Sequence, residues 1–289
     1  MKLHLFCLLP LLLLLAACQD EEEPIPAYLR IEPFSVNAVG GAGWQKITEG
    51  WLYADDVFLG GYSLPATVPV LADGDVDVLV FPGVKENGQT QTPALYPFLE
   101  RYSAKVTLRP AETKAIQPVT AYDAGVILPW PVERGSFNNA PIVLENRDTD
   151  TANFFVLTTN GAFEGRSVLL EVDTAHAILE IATEQVANLP ASAERQVWLE
   201  MHYRNDLPFQ LWLLGTTGSS SNELSQPVYQ FSVSENWNKI YLNLTDFLIA
   251  LQQEKHRLFF RVVLSKNANG NYDQTQGKVL LDNIRLLHF

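Results

Sequence analysis

Apolar and polar residues alternate along much of this chain with the period of two that a half-buried strand requires. Val76-Asp77-Val78-Leu79-Val80-Phe81 alternates and then meets Pro82-Gly83, a turn signal. Ala104-Lys105-Val106-Thr107-Leu108 alternates again and stops at Pro110. Trp51-Leu52-Tyr53 and Val57-Phe58-Leu59 flank Ala54-Asp55-Asp56, two apolar runs across a short acidic turn, which predicts a hairpin. With a first strand over 28–31, the region 27–110 reads as a small β-sandwich of roughly 90 residues. From 136 to 289 the runs lengthen: 168–172, 177–181, 196–203, 209–214, 228–233, 239–244, 258–264 and 278–287 all predict strands. That number of strands separated by turns predicts a second, larger sandwich. The stretch 246–255 is the one candidate helix, with Thr245 as its cap and Phe247, Leu248 and Leu251 at helical spacing. Between the two regions, 111–135 is broken by Pro118, Pro129, Pro131, Gly125 and Gly135 and reads as a join. Val126, Ile127, Leu128 and Trp130 make parts of it apolar enough to pack against the second domain.

Two C-terminal segments carry a resemblance. Trp237-Asn238-Lys239-Ile240-Tyr241-Leu242-Asn243-Leu244-Thr245 and Val279-Leu280-Leu281-Asp282-Asn283-Ile284-Arg285-Leu286 resemble the closing strands of galactose-binding-like jelly rolls. That family ends on apolar–Asp–Asn–Ile–basic–Leu, and the resemblance implies a jelly-roll domain over 136–289. The region 27–110 resembles an immunoglobulin-like or prealbumin-like sandwich, and 51–65 resembles extracellular modules in which a strand presents a decorating hairpin. The expected fold class is therefore all-β. Jelly rolls host sugar binders, adhesins and structural modules, so the resemblance names no ligand.

The N-terminus points to location. Lys2 supplies a positive n-region, Leu5 to Leu15 an apolar stretch broken only by Pro10, and Ala16 and Ala17 small residues before Cys18. Leu15-Ala16-Ala17-Cys18 resembles the lipobox of bacterial lipoproteins. That implies a signal peptide over 1–17 and a mature chain that begins with an acylated Cys18. A membrane-spanning helix needs about 20 apolar residues, and Gln19-Asp20-Glu21-Glu22-Glu23 ends this run too early. Within the acidic tether, 18–26, Gln19 to Glu23 resemble the signal that sends Bacteroidetes-type lipoproteins to the outer face of the outer membrane. Several acyl chains would hold such a protein firmly, at roughly 0.8 kcal/mol per buried methylene.

Composition narrows the partners. The net charge is −13, and loss of Lys2 with the signal makes it one unit more negative. Nucleic acid is disfavoured, because phosphate binding needs clustered Lys and Arg. Cys7 leaves with the signal and Cys18 is the lipidation site, so the mature chain has no intrachain disulfide. Its folds rest on their apolar cores.

Motifs for chemistry are sparse. His176, His202, His256 and His288 are scattered without zinc spacing, and Gly61-Tyr62-Ser63-Leu64-Pro65 lacks the second glycine of a nucleophile elbow. Glu171, Glu180 and Glu200 sit on predicted strands but define no catalytic pair. A structural calcium has candidate ligands in Asn267, Asn269, Asn271 and Asp273, although a hairpin tip explains the same letters. Asp73, Asp75 and Asp77 read as a turn and a solvent face, and Asp282 is a further calcium candidate implied by the jelly-roll resemblance. No other cofactor is expected.

Sugar binding is the best-supported chemistry. It needs aromatic rings for C–H faces and fixed polar groups for hydroxyls, set in a concave surface. Trp198, Glu200 and His202 share one strand face, Gln210 and Trp212 share another, and Arg261 alternates in the same sense. These polar-plus-Trp faces are expected to line one sheet of the jelly roll. The sequence reads as a non-catalytic, lipid-anchored outer-membrane protein facing the exterior, with a glycan or other extracellular ligand as partner. The alternative is a structural or accessory subunit of an envelope complex for secretion, gliding or nutrient uptake, with an envelope protein as partner.

Overall fold

A computed structural model describes residues 23–37, 45–190, 192, 194–219 and 222–289. Cys18 and the rest of the signal and lipobox lie outside the described residues. The chain is all-β, with two sandwiches in sequence.

The first sandwich contains β1 (Ala27–Ile31), β2 (Ser35–Val36), β3 (Glu49–Ala54), β4 (Val57–Ser63), β5 (Ala66–Val70), β6 (Gly74–Lys85), β7 (Pro93–Leu95), β8 (Tyr102–Leu108), β9 (Thr113–Ile116) and β10 (Val119–Thr120). One sheet runs β5-β1-β9; the other runs β4-β3-β6, with β8 and β7 both paired to the long β6. Alternation decides which side chains enter the core. On β1, Ala27, Leu29 and Ile31 point inward while Tyr28 and Arg30 stay outside. On β6, Val76, Val78 and Val80 are buried, and the intervening Asp77 meets Lys105 of β8 at 3.2 Å on the solvent side. The predicted hairpin is β3–β4, turned at Asp55 and Asp56, both at positive φ. The sandwich continues past Pro110, because β9 adds to β1 in parallel.

The join carries a short helical turn, α1 (Val132–Gly135). The second sandwich follows with β11 (Leu144–Asn146), β12 (Val156–Thr158), β13 (Ser167–Asp173), β14 (Ile178–Thr183), β15 (Val186–Ala187), β16 (Trp198–Asn205), β17 (Phe209–Thr216), β18 (Leu224–Phe231) and β19 (Ser234–Asn243). Helix α2 (Thr245–Leu251), β20 (Lys255–Val263) and β21 (Gln276–Leu287) complete it. One antiparallel sheet has the order β11-β14-β20-β17-β18, with β15 also on β20; the other has β12-β13-β21-β16-β19. Their inner faces interleave Leu170, Leu179, Leu199, Met201, Leu211, Phe260, Val262 and Leu281 into one core. Every long strand expected from alternation is present, and the short edge strands β11, β12 and β15 are additional.

Helix α2 is shorter than its sequence pattern and is capped differently. The Asn243 side chain, not Thr245, accepts the Thr245 backbone N–H at 3.1 Å, while the Thr245 hydroxyl accepts from Val197 N. The helix stops where Gln252 turns left-handed, because the residues after it belong to β20. The Asp282-Asn283-Ile284 segment is a β-bulge in β21. Asn283 sits at φ 49°, a conformation Asn tolerates, and it shifts the register against β16. Trp130 joins the second core, and α1 packs directly on the bulge. At Gly135 an added Cβ would lie 2.0 Å from the Ile284 carbonyl oxygen, so only glycine permits this approach.

Candidate functional site

The six residues expected to line one sheet are divided between the outer faces of two sheets. Trp198, Glu200 and His202 lie on β16, whereas Gln210, Trp212 and Arg261 lie on β17 and β20 of the opposite sheet. Period-two geometry placed each trio on one face correctly. The expectation of a shared sheet is corrected, because the core lies between the two trios.

The β16 trio is also closed to solvent. Trp198 is 1% exposed, Glu200 0% and His202 4%. The first sandwich covers this face: Val84, Tyr96, Phe98 and Leu99 pack with Trp198, Tyr241 and Leu287 in a third apolar cluster. Tyr96 stands edge-on to both Trp198 and Tyr241, at 5.3 and 5.0 Å between centroids. Within that cluster Glu200 is fully paired. It accepts from the Tyr96 hydroxyl at 2.5 Å, the Tyr122 hydroxyl at 2.8 Å and the Lys239 ammonium at 2.5 Å, with Arg285 3.9 Å away. Lys239 also donates to Gln45 Oε1 at 2.7 Å, and Tyr241 donates to the same oxygen.

Burial alone would raise the Glu200 carboxyl, but Lys239 and Arg285 hold it below the usual carboxylate value. Burial brings Lys239 down to about 8, opposed by the Glu200 charge. Burial, and then the Glu200 charge, raise the Tyr96 phenol well above its ordinary value, which keeps it a donor. These residues are buried where the two sandwiches meet. His202, at the far end of the trio, stacks on Phe163 at 4.1 Å.

The β17–β20 trio lies on an open face. The burial alternation of β20 puts Arg257, Phe259 and Arg261 outward, between His256, Leu258, Phe260 and Val262 turned inward. Arg261 pairs with Glu180 on β14 at 3.1 Å. Across β17, Gln210 donates to Gln230 Oε1 at 2.8 Å, and the half-buried Trp212 donates its indole N–H to Gln210 Oε1 at 3.1 Å. Trp212, Tyr229 and Gln230 border a recess of about 160 Å³. One register step along the face, Phe259, Leu214, Arg147 and Glu223 line a cleft of about 490 Å³. There Arg257 bridges Glu145 at 3.0 Å and Glu223 at 3.3 Å, and Arg147 also pairs with Glu223. This surface carries aromatic rings beside guanidinium, carboxylate and amide groups whose rotamers are fixed by one another. Sequence reasoning found Trp212, Gln210 and Arg261 but not Phe259, Arg257, Glu145 and Glu223. The alternation of β20 was the available signal for the first two; pairing of distant strands brings in the others.

The remaining candidates have protein partners. Glu171 pairs with Lys278 at 3.1 Å on one sheet and Glu180 with Arg261 on the other. The Asn267 side-chain oxygen accepts from the backbone N–H of Asn269 and Asn271, closing a hairpin tip in which Gly270 has φ 81°. Asp75 and Asp77 face solvent and engage Thr107 and Lys105. Asp282 is fully buried and accepts from the Ser167 hydroxyl at 2.6 Å and its neighbour's N–H at 2.7 Å. Burial pushes its carboxyl up to about 7. Among the described residues no group of three or more His, Cys, Asp or Glu side chains is placed to share a metal ion.

No protein-family model and no curated protein matches the chain. Among solved structures it is similar to a carbohydrate-binding module of the β-sandwich superfamily, at 13% identity and TM-score 0.38, covering 82% of this chain and 84% of that one. It is similar to a family 11 carbohydrate-binding module of a cellulosomal cellulase of Clostridium thermocellum, at 10% identity and TM-score 0.38, covering 57% and 95%. It is also similar to the enzymatically active domain of tailspike protein 4 of bacteriophage CBA120, at 12% identity and TM-score 0.39, covering 62% of this chain and 25% of the tailspike chain.

Proposed function

We propose that this protein is a non-catalytic glycan-binding lipoprotein, anchored in the outer membrane through acylated Cys18 and facing the exterior. The ligand site is the open face of the second sandwich around Trp212. One observation supports it most: the Trp212 indole is tied to Gln210, and Gln210 to Gln230, on a solvent-facing sheet that also carries the Arg261–Glu180 pair. A ring held at a fixed tilt offers its face to sugar C–H groups. Amides and charged groups locked by mutual hydrogen bonds give hydroxyls both donors and acceptors without losing rotamer freedom on binding. The neighbouring cleft of about 490 Å³ falls in the usual range for small-ligand sites.

Anchoring is argued from Leu15-Ala16-Ala17-Cys18 and the acidic residues after it. The welded pair of sandwiches would stand off the bilayer on that tether. The test is retardation of the full-length protein by immobilised neutral polysaccharides, wild type against Trp212→Ala and Arg261→Ala. Retardation weaker than wild type in both variants supports the site. Wild-type retardation in both, with the fold intact, removes it.

A further inference from the structure

The outer face of the first sandwich carries a second aromatic array, remote in sequence from Trp212 and bordered at its cleft by the junction residues Tyr96 and Leu99. Trp51 on β3 lies crosswise over the sheet, its indole spanning from Gly61 on β4 to Gly83 on β6. A Cβ at Gly61 would meet the pyrrole side at 3.3 Å, and one at Gly83 would sit 2.0 Å from Cζ3. The two missing side chains let the indole lie down on the backbone, where Trp51 stays partly buried. Tyr53 continues the strip, 5.1 Å from Phe58 and 5.5 Å from Phe81 between centroids. Phe58 is 52% exposed at the hairpin. The strip ends at a cleft of about 590 Å³, where the Arg101 guanidinium lies 5.7 Å from the Phe81 centroid. Glu100 and Asp123 line the same cleft, and Asp123 is fixed by the Gly125 N–H at 2.7 Å.

We propose that this strip and cleft form a second glycan-binding site: sugar rings stack on Trp51, Tyr53 and Phe58, and hydroxyls reach Arg101, Glu100 and Asp123. The composition selects this occupant over a protein. Protein-docking surfaces concentrate apolar area in a core depleted of charge. Here a narrow row of ring faces opens directly onto an exposed cation and two carboxylates, which suits a ligand apolar on its ring faces and hydroxylated at its rim. Cation–π contact with Phe81 orders Arg101 before binding. The proposal stands apart from the Trp212 site, and each site can fail alone.

The experiment uses the full-length protein and soluble β-glucan, xylan and galactan in affinity electrophoresis, with melting temperature as a check on fold. In a Trp212→Ala background, at least one polysaccharide is expected to retain binding. Adding Phe58→Ala or Arg101→Ala, both exposed and outside the core, should weaken that binding by about tenfold. Equal binding in these variants overturns the proposal, as does a Trp212→Ala protein that binds none of the three. A change in self-association on Phe58→Ala, with polysaccharide binding unaltered, would assign the strip to a second copy of the chain and also overturn it.

Discussion

The Tyr96 hydroxyl donates a 2.5 Å hydrogen bond to Glu200 across the boundary between the two sandwiches. Tyr96 follows β7 in the first sandwich and Glu200 lies mid-strand in β16 of the second, so one bond ties elements far apart in sequence. Around it the Lys239 ammonium, the Tyr122 hydroxyl and Gln45 close a polar cluster ringed by Trp198, Phe98 and Leu287. Breaking a buried ion pair by removing one partner costs about 3–5 kcal/mol, because the other charge is left uncompensated. Lys239→Met should therefore lose that order of stability in chemical denaturation. Lys239→Met with Glu200→Leu should recover little of it, because the buried Arg285 guanidinium would then lose the carboxylate 3.9 Å from it. A loss below about 1 kcal/mol in the single variant would mean the pair behaves like a surface bridge.

Two buried titratable groups set opposing pH dependences. Burial lowers His256 from 6.5 to about 4, so the unfolded chain binds the extra proton between those values and stability falls as pH drops through them. Burial raises Asp282 from 3.8 to about 7, so the folded protein holds the extra proton and stability falls as pH rises through that window. Asn mimics the protonated carboxyl of Asp282. Asp282→Asn should match wild type near pH 4, then gain on it by up to about 1.4 kcal/mol per pH unit and level off above pH 7. Thermal denaturation across that range checks it; a stability difference that does not vary with pH would refute the buried-acid assignment.

Gly135→Ala tests how the join is seated. Its Cβ would meet the Ile284 carbonyl oxygen at 2.0 Å, a backbone atom inside a bulge that cannot swing aside. A destabilisation of about 1–3 kcal/mol or more is expected, as for other overpacked sites. An unchanged melting temperature would show that α1 does not press on β21.

The strands of both sandwiches were legible because a half-buried strand writes its burial into alternate letters, as in Val76-Asp77-Val78. The bulge at Asp282-Asn283-Ile284 was not read from the sequence, where 278–287 counted as a plain strand; its local sign is Asn283, one of the few residue types that accepts a left-handed backbone. What lay over each outer face was not legible. Trp198-x-Glu200-x-His202 and Gln210-x-Trp212 look alike in sequence, yet one is sealed by Tyr96 and Phe98 and the other faces water. That difference comes from the packing of one domain on another, which leaves no local periodicity. Helix α2 was overextended for a related reason: Lys255 begins a strand by pairing with Thr216 and Ala187, partners well removed in sequence.

Cys18→Ala tests the proposed anchor. The variant should keep its signal uncleaved at this position and lack acyl chains by mass spectrometry, whereas the wild type should carry them and partition with outer membranes. Identical, unacylated N-termini in both would remove the anchor from the account.

The account rests most on Trp212 and its fixed neighbours as a surface for sugar rings. Titrating a soluble polysaccharide into the full-length Phe58→Ala protein, with and without Trp212→Ala, measures that surface with the other aromatic strip disabled. The account predicts saturable binding that falls by about tenfold or more when Trp212 is lost. Equal affinity with and without the Trp212 indole, in proteins of equal melting temperature, would contradict it.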